Sequence, residues 1–393
     1  MRQCPVDKIK PDMIVARPIY DGRYRKLLAA GAKLTPEAIR RIRMEDYPHI
    51  LIKETGTEEI KVDELIGVRV RQEVTGALEA FAAYQHRDMD AKSVREMMKE
   101  RKEGQLNANE VQRMVEVAVE NLLKELMYHR RPVYYPGVYP SKNQLIHHST
   151  NVAILALLIG WRFRMSKQEL LWLGKSALLH DIGKLRLDPK LNEVHPKDYS
   201  EELLISYSMH PQMSTVLLDQ DININTHITM GVMQHHEKQD GTGFPEKLPG
   251  SNLPPTSKLR PRGSIHRFAE IISAANYFDN LVSGRVEYEQ MTPPEAVKKL
   301  IEATPKWFNE HITNEALEVI NVYPVGSLVR VSDATQVGMV GLRGVVAKMN
   351  PMNLHRPVIT LLYGLRQRLE QPITVDLSKD TRVRIEYILD LTE

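Results

Sequence analysis

Ala177-Leu178-Leu179-His180-Asp181-Ile182-Gly183-Lys184 sets an imidazole and a carboxylate side by side at the end of an apolar helical run. Burying a histidine and an ionised aspartate there without partners would cost several kcal/mol or force neutralisation. A metal ion would supply the compensating charge. The two oxygens of one aspartate can bridge two cations while imidazoles fill the outer positions. Downstream, His235-His236 repeats the logic. Adjacent helical residues point about 100° apart, so consecutive imidazoles could serve two neighbouring cations. With His148 and His210 these make a set of five histidines and Asp181 on separate helical segments. Each pair alone is weak evidence; the ordered set is strong. His129, His147, His195, His227 and His266 read as surface or internally satisfied residues.

Working outward, residues 143–320 keep a helical period. Ser166 and Glu169 form a capping box that opens a helix expected to run to Gly183. Beyond residue 323 the pattern changes to alternation, in Ser327–Ser332, Gly344–Met349, Val358–Leu362, Ile373–Val375 and Val383–Tyr387. Short alternating runs divided by Gly, Pro, Asn and Asp predict a small β-barrel or curled sheet over residues 323–393. Upstream, residues 1–60 read as a small mixed module. Strands are expected at Met13–Ala16 and Ile50–Ile52, and Thr35-Pro36-Glu37 opens a helix between them. Residues 61–131 read as a helical connecting region interrupted at Lys102-Glu103-Gly104, and 132–142, rich in Pro and Tyr, as a boundary. The expected fold is mainly α, with a small mixed N-terminal module and a small β-rich C-terminal domain.

Composition sets the outer limits. The chain has 393 residues, 42% hydrophobic and 26% charged, an ordinary globular balance that excludes a disordered chain or a fibre. Lys plus Arg is 53 against 50 for Asp plus Glu, too even to argue for a polymeric nucleic-acid partner. The longest apolar run, Val152–Trp161, is far short of a membrane span, and the N-terminus lacks the apolar core of a secretory signal. Cys4 is the only cysteine, so an intrachain disulfide and a Cys-rich zinc site are excluded. A soluble cytoplasmic protein is expected.

The run His235-His236-Glu237-Lys238-Gln239-Asp240-Gly241-Thr242-Gly243-Phe244-Pro245 resembles the signature of the HD-GYP family, a branch of the HD phosphohydrolases. His180-Asp181-Ile182-Gly183-Lys184 resembles the family's HD motif, His148-Ser149 its first-helix histidine and His210-Pro211 its central histidine. Order and spacing agree over about residues 143–305, and segments of the front module and the β tail also resemble parts of family members. The resemblance implies an HD-type helical bundle that hydrolyses cyclic di-GMP to the linear dinucleotide pGpG, and sometimes on to GMP. It implies a binuclear centre of divalent transition-metal ions held by His148, His180, Asp181, His210, His235 and His236, with Asp181 bridging. Nitrogen and oxygen ligands without thiolate suit Fe, Mn, Co, Ni or Zn, with Fe or Mn favoured. Two such cations can hold a bridging hydroxide for attack at phosphorus. Lys184, one turn beyond His180, would offset charge on the phosphoryl oxygens. Lys184, Asp279, Arg285 and Gly243 are the expected substrate contacts.

Three departures from the family pattern bear on activity. The family's last acidic ligand sits in Ala-Asp-x-x-Asp, and here the stretch is Ala275-Asn276-Tyr277-Phe278-Asp279, leaving Asn276 as an uncharged ligand candidate. Asp279 is expected to pair with Lys184 or Arg285, or to substitute as a ligand. Gln144 stands where some members carry a carboxylate for a third metal, so two metals are expected. Val286-Glu287-Tyr288 follows Arg285 where the family commonly has Pro-Tyr followed by a basic residue. Phe244 keeps the ring of the usual Tyr without its hydroxyl. Asp240 either orients a histidine or starts the turn. The basic stretch Lys258–Arg267 is either solvated or placed to attract an anionic substrate. Tyr134, Tyr135 and Tyr139 either stack on guanine or pack as a linker. The alternative to catalysis is a degenerate member that binds cyclic di-GMP or metal and signals. The front module or β tail would then meet a second copy or a signalling partner.

Overall fold

The computed structural model describes residues 1–45, 47–61, 64–85, 108–129, 133–134, 144–187, 198–219, 225–284, 289–365 and 367–391. In the front module, helix α1 (Pro36–Met44) opens where Thr35 accepts from the Ala38 amide and Pro36 takes the first turn. It buries Ala38, Ile39 and Ile42 in a core shared with Cys4, Ile50 and Ile52. Strand β1 (Arg2–Pro5) pairs antiparallel with β4 (His49–Ile52), and β2 (Ile19–Tyr20) with β3 (Lys26–Leu28). Met13–Ala16, expected as a strand, makes only isolated bridges, Ile14 to Lys33 and Val15 to Ile52. The partner of β4 is instead the N-terminal segment, whose short run ending in Pro5 gives little strand signal.

Helices α2 (Val68–Gln85) and α3 (Ala108–Tyr128) pack as a pair beside a bundle. The bundle comprises α4 (Gln144–Arg162), α5 (Lys167–Leu179), α6 (Glu201–Ser208), α7 (His210–Asp219), α8 (Thr226–Met233), α9 (Arg267–Ser283), α10 (Pro293–Glu302) and α11 (Glu310–Leu317). One hydrophobic core runs through both sets. Helix α4 is buried from His147 to Gly160, which accounts for the longest apolar run as a core helix. Among the described residues no helix is long and apolar enough to cross a membrane.

Both hydrogen bonds of the Ser166–Glu169 capping box are present, but α5 stops at Leu179 rather than Gly183. Asp181 leaves helical geometry and a 3-10 turn, Ile182–Arg186, follows. The apolar period continues through Ile182, so periodicity carries no sign of the break. The reason is tertiary: the turn lies against the start of α7, where a Cβ on Gly183 would stand 2.2 Å from the His210 carbonyl oxygen.

The tail forms a five-stranded antiparallel sheet in the order β8 (Arg368–Asp376), β7 (Val358–Tyr363), β6 (Arg343–Lys348), β5 (Leu328–Asp333), β9 (Arg384–Tyr387). One face shares a core with Ile60 of the front module. The Glu54 carboxylate accepts from Arg2 Nε, Arg368 Nη1 and the Tyr363 hydroxyl across that junction. Tyr134, placed by sequence in a boundary, is tied to the bundle's end. Its amide donates to the Val319 carbonyl at 2.7 Å, and its carbonyl accepts from Asn321 at 2.9 Å.

Candidate metal centre

Three helices end at one point. His180 follows α5, His210 follows α6 and begins α7, and His235 follows α8. The last carbonyls of a helix have no regular partner within it, and each histidine uses one three residues back. His180 Nδ1 donates to the Ala177 carbonyl at 2.8 Å, His210 Nδ1 to Tyr207 at 2.6 Å and His235 Nδ1 to Val232 at 2.6 Å. A carbonyl can only accept, so Nδ1 carries the hydrogen, and in the neutral ring Nε2 keeps a bare lone pair. His148 reaches the same state differently, with Nδ1 2.7 Å from Asp279 Oδ2.

These Nε2 atoms converge on Asp181, and its two oxygens divide them. Oδ1 lies 3.2 Å from His210 Nε2 and 3.6 Å from His235 Nε2. Oδ2 lies 3.6 Å from His148 Nε2 and 3.5 Å from His180 Nε2. His210 Nε2 and His235 Nε2 are 3.2 Å apart. Lone pairs so disposed repel one another and the carboxylate unless a cation lies among them. Among the described residues, the buried Nε2 of His180 and the Nε2 of His236 have no hydrogen-bond partner. Two groups of donors among the described residues lie close enough to hold a metal ion, Asp181 with His210, His235 and His236, and Asp181 with His148 and His180. The partial negative charge of three helix C-termini favours a cation at the same point.

The electrostatics agree. Burial holds His210 down to about 4. It also holds His180 and His236 well below their ordinary range, with neighbouring imidazoles adding to the effect. The rings are therefore neutral at pH 7, as ligands must be. Burial alone would raise Asp181, but Lys184 and the imidazoles outweigh it and keep the carboxylate ionised. An anion among neutral nitrogen donors without thiolate fits a divalent transition metal.

Ser214, not singled out from sequence, holds the turn to α7. Its hydroxyl accepts from the Gly183 amide at 2.8 Å and donates to the His180 carbonyl at 2.9 Å. Gly243 belongs to the same kind of packing, since a Cβ there would stand 2.5 Å from Glu237 Cα and the His236 carbonyl oxygen. The Glu237 carboxylate accepts from the amides of Glu246 and Leu248, shaping the loop behind His236. Asp240 accepts from the Thr242 amide and hydroxyl, which selects the turn-starting reading. Phe244 stacks on His236 with ring centres 4.5 Å apart.

The residues expected on the substrate side fall in different places. Lys184 Nζ lies 2.9 Å from Asp181 Oδ2 and 5.3 Å from the Tyr207 ring centre. Asp279 does not pair with Lys184. It is buried behind His148, where Oδ1 accepts from the Tyr134 hydroxyl at 2.9 Å and Oδ2 also accepts from Ser283. Tyr134 is therefore packed on the domain rather than offered as a guanine platform. Asn276 is buried one turn before Asn280, with Oδ1 accepting from Asn280 Nδ2 at 3.1 Å. Arg285, with Val286-Glu287-Tyr288, lies outside the described residues, as do His195, Tyr135, Tyr139 and Lys102–Gly104. The basic stretch is in part structural: Arg260 pairs with buried Glu270 at 2.6 Å and Arg267 with Glu169 at 2.8 Å. His227 and His266, apart from this centre, hydrogen-bond each other at 3.0 Å.

Comparison with known proteins agrees with this geometry. Residues 133–312 match the family model described as an HD domain. The chain is 25% identical over 234 residues to a cyclic di-GMP phosphodiesterase of Pseudomonas aeruginosa, covering 59% of this chain and 51% of that protein. It is 26% identical over 193 residues to the cyclic di-GMP phosphodiesterase PdeB of Borreliella burgdorferi, covering 49% and 47%. The chain thus spans about half the length of these relatives. Among solved structures, an HD-GYP-type protein of Bdellovibrio bacteriovorus aligns over 80% of this chain and 97% of its own, with a TM-score of 0.45 and 16% identity. Residues 133–312 are thus an HD domain, and the motifs of the bundle resemble those of the HD-GYP family.

Proposed function

We propose that the bundle is a phosphodiesterase that opens cyclic di-GMP to pGpG, with GMP as a further product, in the cytoplasm where such a messenger is met. The observation that carries this is the division of bare imidazole nitrogens between the two oxygens of Asp181. It supports two divalent cations, Fe or Mn by preference. His148 and His180 would hold one, His210, His235 and His236 the other, and Asp181 would bridge them. Bound there, such cations acidify water and polarise a phosphate oxygen.

The chain's own groups do the rest. The carbonyls of Ala177, Tyr207 and Val232 hold three rings in the ligating tautomer. Lys184 balances the charge of Asp181, and its ammonium lies at the edge of the cluster where a phosphoryl oxygen would gain charge. Phe244 and Tyr207 flank His236 and give the rim an aromatic character. Asn276 favours a second reading, binding without turnover, because it brings no charge to the position where the family carries a carboxylate.

The test is protein purified without chelator, loaded anaerobically with Mn²⁺ or Fe²⁺ and given cyclic di-GMP, with products resolved by mass spectrometry. Linear dinucleotide or GMP that disappears in His180→Ala supports the enzyme. Intact substrate on metal-loaded protein refutes it, and retained binding of the nucleotide would then favour the second reading.

A further inference from the structure

Of the histidines whose Nδ1 partner the structure gives at this centre, three lean on backbone carbonyls that the helix itself fixes. His148 differs. Its partner is a side chain, Asp279, and a carboxylate turns freely about its last bond unless something holds it. The group opposite is Tyr134, whose hydroxyl donates to Asp279 Oδ1 at 2.9 Å while Oδ2 faces His148. Tyr134 lies outside the helices that carry the donors. Its backbone is bonded on both sides to Val319 and Asn321, outside α4 and α9, and its ring meets the edge of Phe278 on α9 itself. Tyr134, Asp279 and His148 are all buried, which makes the chain of contacts insensitive to solvent.

We propose that Tyr134 is a positioning residue for one half of the metal centre. By fixing the rotation of Asp279 it keeps His148 Nδ1 engaged and its Nε2 aimed at Asp181 Oδ2. The inference rests on the metal-binding reading above and goes beyond it, because it assigns a residue outside the motifs and predicts an effect on one cation only. Partners that orient a ligating histidine typically change metal affinity 10–100-fold, here roughly that for the His148 half.

The test is Mn²⁺ titration of the full chain by calorimetry and electron paramagnetic resonance, with thermal melting alongside. Tyr134→Phe keeps the ring and removes the hydroxyl. The expected result is two binding events in the unaltered protein and a selective loss of about 10–100-fold in one of them in Tyr134→Phe. Tyr134→Phe should have no further effect on metal binding in a His148→Ala background. Asp279→Asn should give the same selective loss and serves if Tyr134→Phe fails to fold. Unchanged affinities in Tyr134→Phe overturn the proposal while leaving the metal reading intact. So does an equal further loss in the His148→Ala background, which marks general loosening. An unaltered chain that takes up no Mn²⁺ overturns both.

Discussion

Replacing Gly183 by Ala adds one methyl group at the place where the HD turn meets α7. The new carbon would stand 2.2 Å from the His210 carbonyl oxygen, 2.5 Å from the Ser214 amide and 2.8 Å from its hydroxyl, where ordinary contact begins at 3.4 Å. Two of the three neighbours are backbone, so the turn and α7 must separate by roughly 1 Å. Overpacking of this kind costs about 1–3 kcal/mol, which for a domain of this size lowers the melting temperature by roughly 2–12 °C. The larger effect falls on the site, because Asp181 and His210 sit on the two parts being forced apart, with Oδ1 and Nε2 now 3.2 Å from each other. Metal–ligand distances tolerate only about 0.2 Å of deviation, so Mn²⁺ affinity should fall at least about tenfold, on the scale seen when a ligand loses its support. Melting and Mn²⁺ titration of Gly183→Ala measure both. A variant that melts like the unaltered protein and binds metal as tightly would refute the packing argument.

Metal-free protein should lose stability as the pH falls from about 6.5 towards 4. His49 and His210 are held down to about 4 and His266 to about 3, burial being the first cause in each, with His180 and His236 also lowered. The unfolded chain takes up protons that the folded one refuses, at about 1.4 kcal/mol per pH unit for each such histidine. This stability is fully present above the unfolded value and is lost towards the folded ones; a melting temperature flat from pH 7 to 4.5 would contradict it. Arg260→Met should cost about 3–5 kcal/mol by leaving Glu270 buried without its ion pair. The loss should shrink at pH 5, because Glu270, already raised by burial, can then protonate, and equal losses at pH 5 and 8 would argue against it. Tyr24→Phe removes a buried hydrogen bond from the front module to His147 and should lower stability by about 0.5–1.5 kcal/mol in chemical denaturation.

What the sequence made legible was local. His180-Asp181 and His235-His236 stood out because titratable pairs ended apolar runs, and their helix-end position also supplies the carbonyls that set their tautomers. The tail strands were readable because alternation is a short-range signal, and all five pair into one sheet. What escaped depends on long separations. His148 and Asp279 are 131 positions apart, and Tyr134 and Asp279 145. Nothing near Tyr134 in sequence distinguishes a buried relay from a linker. Arg267 looked like part of a solvated or substrate-facing run because its partner, Glu169, lies on a helix far back in the chain, and Arg260 did because its bond to nearby Glu270 runs across a loop that carries no periodic signal. The helix expected to continue to Gly183 stops early for the same reason: the contact that ends it is with α7.

The central claim, that Asp181 and the surrounding imidazoles form a site for two divalent cations, is tested most directly by counting. Chelator-stripped protein reloaded anaerobically with Mn²⁺, desalted and measured by mass spectrometry of the elements should hold two ions per chain. Asp181→Ala, with its fold verified by circular dichroism, should retain fewer than one. A folded, unaltered chain that returns from reloading without bound metal would contradict the account.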